Sequence, residues 1–146
     1  MIEVKGNLWE SDAAWVCITT NPIINSQGLA VMGRGCALEA SQRYPQIREQ
    51  FARKLQAKGN VVQGILKDGD RLLIAFPVKH HWREPADLEL IRQSCRTLRE
   101  QWLIHGNGCD VVIPRPGCGN GRLSWPQVRF VLQAELPEDQ FQVISF

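Results

Sequence analysis

The chain reads CDVVIPRPGCGNGRLSW from residue 109 to residue 125. An apolar run typical of a buried strand passes into a segment with glycines at Gly117, Gly119 and Gly121, and a helix start follows. Glycines allow positive φ and close approach of main-chain N–H groups to an anion, while a helix N-terminus adds partial positive charge. The stretch therefore predicts a strand–loop–helix junction that can hold a phosphate. An ordinary tight turn fits this one segment equally well.

A second glycine cluster makes the phosphate interpretation stronger. The segment GLAVMGRG at 28–35 follows the apolar run AWVCITT at 14–20 and precedes a helical pattern. Two such junctions suit a ligand with two phosphates and sugars, because each loop can hold one part of it. The glycine spacing is not the G-x-G-x-x-G of dinucleotide-binding proteins, and the chain has no Walker pattern.

Length and composition predict one globular domain over residues 1–146. The chain is 22% charged and 44% hydrophobic, with a net charge of +2 that is too small to indicate nucleic-acid binding by itself. No apolar run approaches the ~20 residues of a membrane helix, and the N-terminus lacks a signal-peptide pattern. The five cysteines form no C-x-x-C pair. We therefore expect a cytoplasmic monomer with reduced thiols and without a metal, a cofactor or a membrane partner.

The pattern of apolar residues predicts a mixed sheet with helices on both faces. A turn signal at 67–70 predicts a hairpin between two of the strands. Ligands in such folds bind at the carboxyl ends of strands, where both glycine loops are expected. Strands are predicted at 2–4, 14–20, 60–66, 71–76, 109–114 and 140–146, and helices at 35–44, continuing past Pro45 as 46–58, at 86–105 and at 124–134.

Five segments in order over nearly the whole chain carry a family resemblance. They are GNLW at 6–9, TTN at 19–21, VMGRGCA at 31–37, FPVKHHW at 76–82 and the stretch 114–125. With them the chain resembles macrodomains, the ADP-ribose-binding α/β modules. It is most similar to bacterial and phage macrodomains, including antitoxins that remove ADP-ribose from DNA bases. The resemblance implies a three-layer α/β/α fold with a mixed central sheet.

The resemblance also implies which residues contact ADP-ribose or an ADP-ribosylated protein or nucleic acid. The 33–35 segment lies against the diphosphate and distal ribose, Asn21 near the ribose hydroxyls, and the 117–121 loop over the diphosphate. Asn7 lies by the adenine, where many macrodomains have Asp. The expected ligand-binding residues are Asn7, Leu8, Thr20, Asn21, Met32, Gly33, Arg34, Gly35, Gly117, Cys118, Gly119, Asn120, Gly121 and Arg122.

Lys79 is the expected catalytic residue, because the lysine at this position is the catalytic group in the similar hydrolases. As a neutral amine it can attack C1″ of ADP-ribose, with His80 and Arg83 as candidates for lowering its pKa. As an ammonium it can stabilise an anionic leaving group. A surface lysine at a strand end is the alternative without function. No carboxylate occurs in 114–125, which argues against a double-displacement scheme that uses an Asp in this loop.

The residues beside Lys79 and in the glycine loop allow further interpretations. His80 and His81 are adjacent on an extended segment, point to opposite sides and are poorly placed to share a metal ion. Trp82 is either a surface for stacking a base or ordinary packing at the rim. Cys118 is expected to be a small buried residue rather than a reactive thiol.

Three functions share the predicted ligand. The first is an ADP-ribosyl hydrolase that cleaves the bond between ADP-ribose and its acceptor. The second is a non-catalytic module that binds ADP-ribose, and the third is a phosphatase acting on ADP-ribose 1″-phosphate. A fourth interpretation is a site for another nucleotide or for RNA ends, with Arg34, Arg115 and Arg122 meeting phosphates.

Overall fold

The computed structural model describes all 146 residues and contains one six-stranded sheet with helices on both faces. A short 3-10 helix, Leu8–Glu10, follows the first strand. The strands are β1 (Ile2–Lys5), β2 (Trp15–Thr20), β3 (Gln63–Asp68), β4 (Arg71–Pro77), β5 (Val111–Pro114) and β6 (Phe141–Ser145). The helices are α1 (Gly35–Arg43), α2 (Ile47–Lys58), α3 (Leu88–His105) and α4 (Trp125–Glu135). None of the helices is both long and apolar enough to cross a membrane.

The sheet is mixed, as predicted. The strand order is β1-β6-β5-β2-β4-β3, and every neighbouring pair is parallel except β3 and β4, which are antiparallel. The predicted hairpin joins β3 to β4, and Gly69 adopts the positive φ of +60° that its two-residue turn requires. Because the other five strands run in the same direction, their carboxyl ends meet at one edge of the sheet.

Alternating residues of the central strands divide the core into two layers. In β2, Val16 and Ile18 pack against α1 and α2, whereas Cys17 packs against α3 and α4. In β4, Leu73 likewise faces the first pair of helices and Ile74 the second. Strands buried on both faces are typical of parallel sheets covered by helices on each side. The arrangement confirms the three-layer α/β/α fold.

Several helices and strands begin or end at residues other than those predicted, for reasons of local backbone chemistry. The helix predicted to continue past Pro45 is two helices, because proline disfavours helical geometry at the preceding residue, and Tyr44 is extended at φ −127° and ψ 91°. The strand predicted from 109 begins at Val111. Ser124 is the N-cap of α4, but its side chain makes no capping hydrogen bond. The spacing of Ser124 and Gln127 is typical of a capping box, so this helix begins without the side-chain bond that its sequence predicts.

Candidate functional site

A cavity of about 640 Å³ lies at the carboxyl ends of the five parallel strands. The segments that follow these strands form its walls, together with the start of α1. Both glycine loops contribute, so the structure brings together the two junctions that the sequence singled out. The predicted site residues that line it are Asn7, Leu8, Thr20, Asn21, Met32, Gly33, Arg34, Gly35, Lys79, Gly117, Gly119, Asn120 and Gly121.

The strand order arranges the lining residues along the edge of the sheet. Asn7 and Phe146 follow β1 and β6 at one end, the two glycine loops follow β5 and β2 in the middle, and Lys79 follows β4 at the other end. Neighbouring strands lie about 4.8 Å apart, so the four steps from β1 to β4 span about 19 Å. An elongated ligand fits this arrangement better than a compact one.

The glycines of the 117–121 loop have different structural roles. Gly117 adopts φ +76°, and a Cβ there would lie 2.9 Å from both Ala86 Cβ and Ile91 Cδ1. A Cβ on Gly121 would lie 2.5 Å from the carbonyl oxygen of Gly117. By contrast, a Cβ on Gly119 would meet no atom within 4 Å, although this residue lines the cavity. Loop packing therefore requires glycine at 117 and 121, whereas Gly119 lines the cavity and has open space where a Cβ would lie.

The 33–35 loop leads directly into α1. Gly35 is the first residue of the helix and adopts φ +57°, a conformation that favours glycine. Arg34 is the N-cap residue, and its side chain makes neither a capping hydrogen bond nor an ion pair. A free guanidinium and the positive end of a helix dipole thus face the same cavity, which is a suitable setting for an anionic group.

Two asparagines in the lining use part of their side chains to hold their own loops. Asn21 Nδ2 donates to the carbonyl oxygen of Val31 at 3.1 Å, and Asn21 Oδ1 accepts from the N–H of Ile23 at 3.0 Å. Asn7 Oδ1 accepts from the N–H of Trp9 at 2.9 Å and caps the 3-10 helix. These bonds fix the shape of the cavity walls, and the NH2 group of Asn7 keeps both donors for another partner.

Lys79 lies just beyond the end of β4, where its amine reaches the 117–121 loop. Its Nζ donates to the carbonyl oxygens of Asn120 at 3.3 Å and Trp82 at 3.4 Å. Partial burial lowers the pKa of Lys79, and the positive charges of Arg122 and Arg34 lower it further. A lysine in this environment has a larger neutral fraction at a given pH than an ordinary lysine.

The residues that the sequence suggested as the cause of a lowered Lys79 pKa are not the ones that lower it in the structure. His80 Nε2 is 2.8 Å from Asp87 Oδ2, and the Arg83 guanidinium lies 4.7 Å from the centre of the Trp82 ring. Neither His80 nor Arg83 is among the causes of the lowered pKa of Lys79. Residues adjacent along the chain point elsewhere, and the relevant arginines come from the two glycine loops.

Cys118 and Arg122 belong to the predicted ligand-binding set but do not line the cavity. Cys118 Sγ lies 3.6 Å from the carbonyl oxygen of Pro116, and burial raises the pKa of the thiol, in agreement with an unreactive role. Arg122 is exposed and adopts φ +65°. Its charge acts on Lys79 from outside the lining.

Several lining residues lie outside the predicted set. Ile144 and Ser145 end β6 and Phe146 follows it, whereas several of the others sit beside predicted residues; the end of β6 carries no motif that could have identified it. The order of strands, which sequence patterning does not specify, brings them to the cavity. They are Gly6, Thr19, Val31, Cys36, Ala37, Glu39, Val78, Trp82, Pro114, Arg115, Ile144, Ser145 and Phe146.

Arg115 is held at the rim by residues from two other elements. Its guanidinium lies 4.5 Å from the centre of the Trp125 ring and 3.8 Å from Glu3 Oε1. Trp125 Nε1 donates to the same carboxylate oxygen at 3.1 Å, and Arg129 Nε donates to Glu3 Oε2 at 2.9 Å. A cation in the cavity wall is thereby oriented by stacking and by a shared carboxylate.

Comparison with solved structures defines the class of fold. The macrodomain of Thermus aquaticus DarG matches with a TM-score of 0.79 at 27% identity, covering 98% of this chain and 95% of that one. The macrodomain of Mycobacterium tuberculosis DarG matches with a TM-score of 0.76 at 27% identity, covering 99% and 97% of the two chains. The chain therefore has the macrodomain fold, as the sequence resemblance predicted.

Comparison with curated proteins adds a more specific likeness. The DNA ADP-ribosyl glycohydrolase of Thermus aquaticus is 30% identical over 142 residues, which is 91% of this chain. The chain spans 37% of the length of that relative. No protein-family model matches the chain.

Proposed function

We propose that this macrodomain binds ADP-ribose and hydrolyses the bond between C1″ of its distal ribose and an acceptor group. The observation that carries the proposal is the position of the Lys79 amine at one end of the cavity, bonded to the glycine-rich loop. The order of the other polar and charged groups along the cavity supports the proposal, because it suits the order of adenine, diphosphate and distal ribose in ADP-ribose.

The ligand would lie along the edge of the sheet. The adenine is assigned to the end formed by Asn7 and Phe146, where the free NH2 group of Asn7 can donate to a ring nitrogen. The diphosphate is assigned to the middle, against Arg34 and the space beside Gly119. This orientation leaves C1″ at the end that contains Lys79.

Lys79 is proposed to act as a neutral amine. Its two N–H bonds can both be held by the carbonyl oxygens of Asn120 and Trp82, which leaves the nitrogen lone pair free. A bond forms between Nζ and C1″ while the bond from C1″ to the acceptor breaks, and the acceptor leaves with the electron pair and takes up a proton. The C1″–O4″ bond of the ring then opens with transfer of a proton from Nζ to O4″, so that Nζ and C1″ form an imine. Water adds to C1″, the bond from C1″ to Nζ breaks with return of a proton to Nζ, and the sugar recloses as ADP-ribose is released.

The acceptor is proposed to be a nucleic acid. The support is the likeness to a relative named a DNA ADP-ribosyl glycohydrolase. Removal of ADP-ribose from a protein side chain would use the same cavity and the same lysine, so an experiment must distinguish the two acceptors. The cavity is lined by residues of one chain, and the proposal therefore requires only a monomer.

The decisive experiment measures binding and turnover separately for the wild type, Lys79→Ala and Lys79→Arg. Lys79→Ala should bind ADP-ribose with an affinity close to that of the wild type in calorimetry and should lose at least ~10²-fold in turnover. Lys79→Arg keeps the positive charge but supplies no amine nucleophile, so it should be equally inactive. Substantial activity of Lys79→Arg would instead assign the lysine to electrostatic stabilisation.

A trapping experiment tests the covalent step. Cyanoborohydride added during turnover should reduce an imine between Lys79 and the ring-opened sugar, which peptide mass spectrometry would locate. Binding of ADP-ribose without turnover of any conjugate would identify a non-catalytic module. Phosphate release from ADP-ribose 1″-phosphate, with no release of a protein or DNA acceptor, would identify a phosphatase.

A further inference from the structure

An exposed aromatic side chain lies at the rim of the cavity beside the proposed catalytic amine. Trp82 lines the cavity, and 43% of its surface remains exposed. Its carbonyl oxygen accepts the 3.4 Å hydrogen bond from Lys79 Nζ. The backbone that carries the indole is therefore fixed next to the position where the acceptor would leave.

The neighbours of Trp82 form a rim that is both aromatic and cationic. The Arg83 guanidinium lies 4.7 Å from the centre of the indole, and the His81 ring centre lies 5.4 Å away at an interplanar angle of 32°. Arg122 and Arg34 add positive charge near the same lysine. The nearby Asp87 is already paired with His80.

This combination has a known use in proteins that bind single-stranded nucleic acids. Bases stack on exposed aromatic side chains, while neighbouring arginines attract the phosphate backbone. An acceptor that is a protein carboxylate offers no aromatic ring on which the indole could stack. The rim thus differs in chemistry from the rest of the cavity, which the proposal assigns to ADP-ribose.

We propose that Trp82 is the residue that selects the acceptor, by stacking on the modified nucleobase or its unpaired neighbour in a single-stranded nucleic acid. This inference rests on the proposed hydrolase function, because it assigns the acceptor side of the same site. Arg83 and His81 hold the indole at the rim, and the arginines of the two loops attract the phosphates.

The test compares two substrates that share ADP-ribose and differ in the acceptor. One is a single-stranded DNA oligonucleotide modified on a base by a DNA ADP-ribosyl transferase, and the other is a peptide modified on a glutamate carboxylate. For Trp82→Ala we expect the loss of kcat/KM on the oligonucleotide to exceed the loss on the peptide by about ten- to a hundredfold, mainly through KM. Trp82→Phe should recover most of the activity on the oligonucleotide.

Phe130 provides a matched control. It is an aromatic residue on α4 that is 74% exposed and does not line the cavity. Phe130→Ala should leave turnover of both substrates unchanged. Equal losses of Trp82→Ala on the two substrates, or a wild type that cleaves only the peptide, would overturn the role of Trp82 while the hydrolase proposal stands.

A wild type that cleaves neither substrate would refute the hydrolase function, and binding then tests Trp82 separately. In titrations, the wild type should still prefer the modified oligonucleotide to free ADP-ribose, and Trp82→Ala should lose that preference. An unchanged preference in Trp82→Ala would reject the stacking role.

Discussion

Lys79 Nζ lies 3.3 Å from the carbonyl oxygen of Asn120, so the end of β4 is joined to the glycine-rich loop that follows β5. The two residues are 41 positions apart in the sequence. Since Arg122 directly follows this loop, one contact both positions the amine and brings a positive charge near it. The same loop can therefore bind an anion and influence the protonation of the lysine.

The dependence of turnover on pH should reflect this charge. Because the pKa of Lys79 is lowered, the neutral amine forms at lower pH than in an ordinary lysine, and turnover should rise with pH and level off earlier. Removing a positive charge by Arg122→Ala raises the pKa of Lys79 and should shift the pH profile upwards. Below the plateau, turnover should fall about two- to fivefold, since exposed charges interact by less than about 1 kcal/mol.

The control for this shift is Arg53→Ala, which removes the same charge from an exposed position on α2 paired with Glu49. Its pH profile should match that of the wild type. A profile that falls with rising pH in the wild type would contradict the role of the neutral amine.

Substitutions at two glycines of the 117–121 loop should affect stability and ligand binding separately. Gly119→Val should leave the melting temperature nearly unchanged, because its Cβ meets open space, and should abolish measurable binding of ADP-ribose by filling the cavity. Gly121→Val places a Cβ 2.5 Å from the carbonyl oxygen of Gly117 and should destabilise the fold by about 1–3 kcal/mol. Thermal unfolding and calorimetry on both variants check this contrast, and normal affinity in Gly119→Val would refute the assigned position of the diphosphate.

Asn21 should affect both stability and affinity. Asn21→Ala removes the bonds to Val31 and Ile23 and should destabilise the protein by about 1–2 kcal/mol. The segment after Val31 leads into the 33–35 loop, so the affinity for ADP-ribose should also fall. Asn25→Ala is the matched control, because Asn25 holds an outer turn through the N–H groups of Gln27 and Leu29. It should reduce stability without weakening binding, and equal affinities in the two variants would contradict the prediction.

Asp87 connects the Lys79 segment to the start of α3. Its Oδ1 accepts from the N–H of Glu89 at 2.9 Å, and its Oδ2 lies 2.8 Å from His80 Nε2. The hydrogen bond from His80 lowers the pKa of Asp87 in the folded state. The charged carboxylate therefore stabilises the fold fully above its unfolded pKa of about 4, and this contribution is lost progressively as the pH falls from that value through the lower pKa of the folded state.

Urea unfolding across pH tests this contribution. Asp87→Ala should lower the free energy of unfolding at neutral pH by about 1 kcal/mol, because the helix loses its cap. Asp87→Asn keeps an acceptor oxygen for the cap and should lose less. The difference between the wild type and Asp87→Asn should shrink below pH ~4, and a constant difference down to pH 3 would argue against the ion pair.

Much of the fold followed from local patterns. The apolar runs of β2 and β4, the turn signal before β4 and the apolar pattern of α3 report interactions within a few residues, and the structure contains all of these elements. The boundaries that shifted, such as the helix break at Tyr44, depend on single backbone conformations that an apolar pattern does not encode.

The candidate site was only partly predictable for a similar reason. The glycine-rich loops after strands and the lysine near a strand end could be recognised in the sequence, because ligands bind where parallel strands end. The different roles of Gly119 and Gly121 are not visible, because they depend on whether Ala86 and the Gly117 carbonyl lie beside each Cβ. Sequence spacing contains no information about such neighbours.

The sequence by itself thus determined the strands and helices, the two glycine loops and the placement of Lys79 at the end of a strand. Only the tertiary structure decided that β6 lies between β1 and β5, which places Asn7 and Phe146 in line with the loops and Lys79. Local patterning sets which face of a strand is buried, whereas strand order is set by packing among residues far apart in the chain. The extended shape of the cavity and the charge environment of its lysine are consequences of that packing.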